Sequence, residues 1–209
     1  MTAWREEHIP CHWHRWIPEA FRATIKSMLE KPLNYEWSVQ GFGMLRTYLD
    51  DDKRFRLNIW HSAFTIPNVS IIHDHPWSFD SWIVNGRFTN VRYGISDAPR
   101  AGDALYDWQV IKTGPGGGPE GDSGTIRLIS RASAEHYVTG DTYHQEASEI
   151  HASYYDDGTV TLNDRTRLPD GDHARVFWPS GGQWVDAEPR PARATEITFA
   201  TTAALGIWE

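Results

Sequence analysis

Apolar residues along this chain follow two periods. Between Pro18 and Glu30 (PEAFRATIKSMLE), Phe21, Ile25, Met28 and Leu29 recur at helical spacing, with Pro18 suited to a first turn and Pro32 to a stop. This pattern predicts one amphipathic helix, the only long one expected. From Tyr35 onward the period shortens to that of strands. The stretches EWSVQGFGML, RFRLNIWH, NVSIIHDH, SWIV, RFTNVRY, LYDWQVI, TIRLIS, EHYV, TVTL, ARVFW and TEITFA are rich in β-branched and aromatic residues. Asn85-Gly86 and Asp157-Gly158 read as two-residue hairpin turns because these residue types tolerate positive φ. Many short strands joined by tight turns predict an all-β jelly roll or barrel.

Residues 1–34 are expected to form an N-terminal arm carrying the helix, and residues 35–209 the β-barrel, as one domain overall. A chain of 209 residues fits that count, since domains usually run to roughly 50–250 residues. Gly114 to Gly124 (GPGGGPEGDSG) reads as a polar surface loop without a ligand role. It lacks the Lys-Ser/Thr ending and following helix of a phosphate-binding loop.

Composition narrows the functional classes. Eleven Trp, 8 Tyr and 8 Phe supply enough aromatic surface for a packed core. A formal net charge of −8 without any Lys/Arg run argues against nucleic acid and anionic membrane as partners. The single Cys11 cannot form an intramolecular disulfide, and neither an export signal nor a long apolar run is visible. A cytoplasmic location is the expectation.

The candidate chemistry lies in histidines. In IIHDHPW, His73 and His75 stand at i and i+2, which on a strand puts both imidazoles on one face, close enough to share a metal. His12 and His14 repeat the spacing outside any strand-like run and read as surface or packing residues. His144 reads as a solvated loop residue, and His8, His61, His136 and His173 have no partner spacing.

With His151 these residues resemble the two motifs of the cupin superfamily. The first motif is His-x-His followed by a carboxylate and a turn Gly, matched here by His73, His75 and Gly86. The second is matched in spacing by Gly140 to His151, with Glu146 in place of the usual Pro and Ser148 in place of the usual Gly. The resemblance runs from about Arg46 to Leu162. It implies a double-stranded β-barrel in which His73, His75 and His151 hold one divalent ion. Alignment leaves either Phe79 or Asp80 in the position of the usual Glu, so Asp80 is a candidate fourth ligand, with Glu149 a weaker substitute.

Three neutral imidazoles leave open coordination positions and the full charge of the ion. Fe(II) is favoured through a loose likeness to the thiol dioxygenases; Mn(II), Ni(II) and Zn(II) suit the same ligands. On that likeness Arg46 would anchor a substrate carboxylate. The Ser-x-His-x-Tyr pattern of those enzymes is replaced by Thr159, Thr161 and Asn163, which argues against cysteine as substrate. Trp60, Trp77, Phe79 and Trp82 are candidate cavity walls for a small-molecule substrate, while Arg87 and Arg92 read as solvated strand residues. Three functions fit: an iron oxygenase, a redox-neutral isomerase, lyase or hydrolase, and a non-catalytic binding protein. A homodimer is the expected assembly.

Overall fold

The computed structural model describes residues 19–96, 104–113, 118–130, 134–167, 171–186 and 188–206. Among these residues, helix α1 (Glu19–Glu30) and a 3-10 turn (Pro32–Asn34) precede fourteen strands: β1 (Ser38–Gln40), β2 (Phe42–Tyr48), β3 (Phe55–Thr65), β4 (Ile72–His73), β5 (Trp77–Asn85), β6 (Arg87–Ile95), β7 (Leu105–Lys112), β8 (Gly118–Ser130), β9 (Glu135–Val138), β10 (Thr142–Gln145), β11 (His151–Tyr155), β12 (Thr159–Arg167), β13 (His173–Pro179) and β14 (Arg190–Pro191). Helix α2 (Ala194–Gly206) follows. The first sheet runs β10-β5-β12-β3-β2-β1-β14 and the second β11-β4-β13-β7-β8-β6-β9, with β11 also paired to β6. The strand pairings within both sheets are antiparallel. Two seven-stranded antiparallel sheets preceded by a helical segment agree with the all-β architecture that the strand pattern implies.

The first sheet is covered on both faces, which explains its near-continuous burial. Along β3, Leu57 and Ile59 join α1 and α2 through Ile25, Met28, Leu29, Ile197, Ala200 and Ala204. The alternate residues Arg56 and Trp60 point into a cavity between the sheets. Strand alternation thus gives the central strands one apolar face toward the helices and a mixed polar and aromatic face toward the cavity. The helix expected in residues 1–34 is therefore part of the core.

Three expectations need correction. TEITFA reads as a strand by local alternation, yet it opens α2. Ile197, Ala200, Thr201 and Ala204 are the buried positions, a helical i, i+3, i+4, i+7 series visible only when the following residues are included. Its small residues permit close approach to the sheet. The helix of residues 19–30 is accordingly not the only long one.

Within the expected Gly114–Gly124 loop, residues 114–117 lie outside the described residues, but Gly118 to Gly124 belong to β8. They pair with β7, Gly118 with Lys112 and Gly124 with Trp108, across a register shift. Backbone pairing does not require side chains, so a glycine-rich run can continue a ladder that its partner strand specifies. Gly118 also lies at the cavity wall.

Asn85-Gly86 and Asp157-Gly158 are not hairpin turns. Gly86 and Gly158 do take positive φ, +89° and +87°. However, β5 and β12 belong to the first sheet, whereas β6 and β11 belong to the second. Both turns are corners at which the chain changes sheets, and they meet at Thr159, whose Oγ1 accepts from Arg87 N at 3.2 Å.

Candidate metal centre

His73 and His151 are direct cross-strand partners on β4 and β11, and His75 lies just beyond β4. The ligand atoms of all three lie within 4.8 Å of one another. Asp74, between the two motif histidines, fixes the segment: it accepts from Arg175 N and Nε on β13, both at 2.6 Å. On the other side, Ser148 N donates to His75 O at 2.8 Å. Ser148 takes φ +61°, so the position at which the cupin motif has Gly keeps the glycine conformation with a serine in it.

Hydrogen bonds decide which nitrogens face the cluster. His73 Nδ1 lies 3.0 Å from Ile71 O, and His151 Nδ1 lies 2.9 Å from Asn90 Oδ1. Both partners are acceptors, so each Nδ1 carries the proton and each Nε2 keeps its lone pair. Asn90 is held by Gln145 Oε1 at 2.9 Å, and Gln145 Nε2 donates to Glu149 Oε2 at 3.0 Å. Arg92 closes the chain, 3.1 Å from Glu149.

Electrostatics favour neutral rings. Burial drives the pKa of His75 far below its ordinary range, with His73, His151, Arg56 and Arg165 adding to the effect. Burial does the same to His151, followed by His73 and Arg92. For His73 burial lowers the pKa against the opposing bond to Ile71. The nitrogens His75 Nε2 and His151 Nε2 are 3.1 Å apart. Two ligands at right angles, each about 2.1 Å from an ion, would be separated by about 3.0 Å. Neutral imidazoles, with the Nδ1 protons of His73 and His151 anchored and their Nε2 lone pairs left for the cluster, are what a divalent cation requires. The residues fit a metal.

Of the other expected site residues, some reach the site and some do not. Asp80 is not positioned as a fourth ligand. Strand alternation on β5 turns Phe79 inward and Asp80 outward; Asp80 is 60% exposed and its Oδ1 is 2.7 Å from His144 Nδ1. That partner raises the pKa of His144, which belongs to an exposed surface cluster with Glu146. Glu149 is committed to Gln145 and Arg92. Trp82 is also a correction: as an outward residue of β5 it packs against the helix-covered core, away from the cavity. Trp60, Trp77 and Phe79 do line the cavity, as does Arg46. Trp77 stacks on His75 at 5.1 Å, and Phe79 meets the same ring edge-on at 5.5 Å. Arg92, read as a solvated strand residue, instead belongs to the hydrogen-bonded chain behind His151. His12 and His14 lie outside the described residues.

Sequence reasoning missed Asn90 and Gln145, both completely buried. The polar Asn90 in an otherwise strand-like RFTNVRY was the available signal. It also missed Arg56, Arg165 and Tyr48, which line the same cavity of about 960 Å³.

Comparison with solved structures finds similarity to procruciferin, an 11S globulin from Brassica napus, at 14% identity and a TM-score of 0.33. The match covers 75% of this chain and 34% of that chain, so this protein spans about a third of the length of that one. No family model matches the sequence, and no match is found among curated proteins.

Proposed function

We propose that this protein is a metal-dependent enzyme acting on a small molecule inside the barrel, with His73, His75 and His151 as ligands and a non-haem Fe(II) oxygenase as the reading. The carrying observation is the convergence of three ring nitrogens on a cavity large enough for a metabolite-sized ligand. When bound, the ion supplies Lewis acidity and, as iron, the capacity to engage dioxygen. The chain's own residues do the rest. Ile71 O and Asn90 fix the ring tautomers, and Trp60, Trp77 and Phe79 present an apolar wall that limits water near the centre.

Thr161 argues for a substrate other than cysteine. Its hydroxyl is engaged by Asn58 Nδ2 at 2.9 Å and Trp60 Nε1 at 3.0 Å, and no His or Tyr takes the place of the missing thiol-dioxygenase pair on β12.

The test begins with metal analysis of freshly purified full chain. Anaerobic Fe(II) loading follows, with an oxygen electrode and panels of small carboxylates, thiols and diketones. Oxygen uptake that requires both iron and a substrate supports the oxygenase reading. Equal turnover with zinc under nitrogen replaces it by redox-neutral catalysis, and failure to bind any divalent metal overturns the proposal.

A further inference from the structure

One wall of the cavity, on the first sheet, gathers the buried Arg56 and the half-buried Arg46 and Arg165, while Glu36, Asp74, Asp186 and Glu188 also line the cavity and Asp74 is paired with Arg175. Arg46 and Tyr48 lie on β2, Arg56 on β3 and Arg165 on β12, and all four line the cavity. Cross-strand register places Arg56 directly between Tyr48 and Asn163. Arg165 Nη1 donates to Tyr48 OH at 3.2 Å, and its guanidinium lies 4.3 Å from the centre of the Trp77 ring. Trp77 in turn stacks on His75, so one aromatic residue links the arginine wall to the histidine cluster.

These cations are short of acceptors. Arg56 is only 5% exposed, yet its Nε has no hydrogen-bond partner. Arg165 Nε and Trp77 Nε1 are likewise buried and unpartnered. The charged groups with the largest influence on Arg56 are Arg165 and Arg46, followed by Tyr48 and Tyr143. Arg46 is partly satisfied by neutral acceptors, Ser38 Oγ at 3.1 Å and Gln40 Oε1 at 2.9 Å. The neighbouring outward residues behave differently: Arg54 pairs with Asp164 at 2.6 and 2.8 Å.

A buried arginine without a counter-ion carries a desolvation cost that folding alone leaves uncompensated. Arg56, with the half-buried Arg165 and Arg46 beside it, marks a place where the compensating charge arrives with a ligand. Planar guanidinium groups suit carboxylate and phosphate oxygens. The geometry points to a small dianionic ligand, a dicarboxylate or a phosphate monoester, whose anionic group is gripped by Arg56 and Arg165 with Arg46, Tyr48 and Trp77 Nε1 alongside, and whose remainder reaches toward the three histidines. This deepens the proposed function, since it takes the cavity to be a small-molecule site, but anion capture itself does not depend on the metal.

The experiment uses full chain stripped of metal by chelation, repeated after zinc addition, at fixed ionic strength. Succinate and inorganic phosphate are the anionic probes and succinamide is the uncharged control; binding is read by calorimetry and Tm. Either anion should bind with one-per-chain stoichiometry and raise Tm, while succinamide does neither. Stronger binding of succinate assigns a carboxylate, and stronger binding of phosphate a phosphoryl group. Arg56→Met and Arg165→Met, each checked for native circular dichroism, should weaken the preferred anion about tenfold or more, whereas the outward Arg54→Met should not. Absence of binding by both anions, with and without zinc, overturns the inference. Equal weakening by Arg54→Met does so too. Failure of zinc to bind, with succinate still captured, would count against the metal reading alone.

Discussion

His75 and His151, 76 residues apart in sequence, bring their Nε2 atoms to 3.1 Å. His151 Nε2 is left a lone pair by the bond its Nδ1 makes to Asn90. Without an ion, His75 Nε2–H can donate to His151 Nε2; with both Nε2 lone pairs turned inward, the same spacing suits a shared cation.

Changing His73, His75 or His151 to Ala should each reduce bound metal strongly, because two protein ligands hold a labile divalent ion poorly. Asp80→Ala should leave stoichiometry unchanged, since the Asp80 carboxylate faces solvent and His144. Elemental analysis after dialysis measures both. Full retention of metal by His151→Ala would falsify the ligand assignment.

Asn90→Ala removes the acceptor that fixes the His151 tautomer and orphans Gln145. Metal affinity should fall about 10–100-fold without loss of the fold. Competition with a chromogenic chelator reads the change, and Asn90→Asp, which keeps an acceptor, should restore much of it.

Tyr48 should titrate early. Burial raises its pKa, but Arg46, Arg56 and Arg165, together with the bond from Arg165, outweigh that and bring it to about 8. The groups facing it are those three arginines and Lys53, whose Nζ lies 5.9 Å from the ring centre. Ultraviolet difference absorbance should therefore show a phenolate with a midpoint of about 8 that disappears in Tyr48→Phe and moves upward in Arg56→Met. The folded value lies below the ordinary 10.0, so this group adds stability as pH rises from about 8 toward 10 and contributes none below that window.

At the start of α2, Glu196 accepts from Arg193 N at 2.8 Å and from Arg190 at 2.6 and 2.9 Å. The Arg190 bond is the largest influence holding its carboxyl at about 2 against an ordinary 4.5. Glu196→Gln should cost about 0.5–1 kcal/mol at neutral pH, a modest loss because the pair is partly solvated. The depressed pKa makes this contribution complete above about 4.5 and lost as pH falls toward 2. Urea unfolding of both proteins at pH 7 and pH 3 should show the difference between them narrowing at the lower pH.

Much of this protein was legible in its residues. Alternating apolar positions announced a β-rich fold, helical spacing announced α1, and the i, i+2 spacing of His73 and His75 announced two rings on one face, because these are local periodicities that backbone geometry converts directly into faces, whereas His151 was reached only through the motif resemblance. Ser148 shows how far that reaches: the motif spacing held although the glycine was gone, and the backbone there adopts positive φ regardless. The tertiary structure decided what depends on which surfaces meet. Whether Phe79 or Asp80 faces inward followed from the register of β5, and whether Asn85-Gly86 is a hairpin or a corner followed from the sheet that each flanking strand joins. TEITFA became a helix because Ala200 and Ala204 could lie against the first sheet. Arg56 and Arg165 look like ordinary polar strand residues in the sequence; only the covering of that sheet by helices on one face, and by the second sheet across the cavity on the other, turns them into the same cavity with their Nε atoms buried and unpartnered.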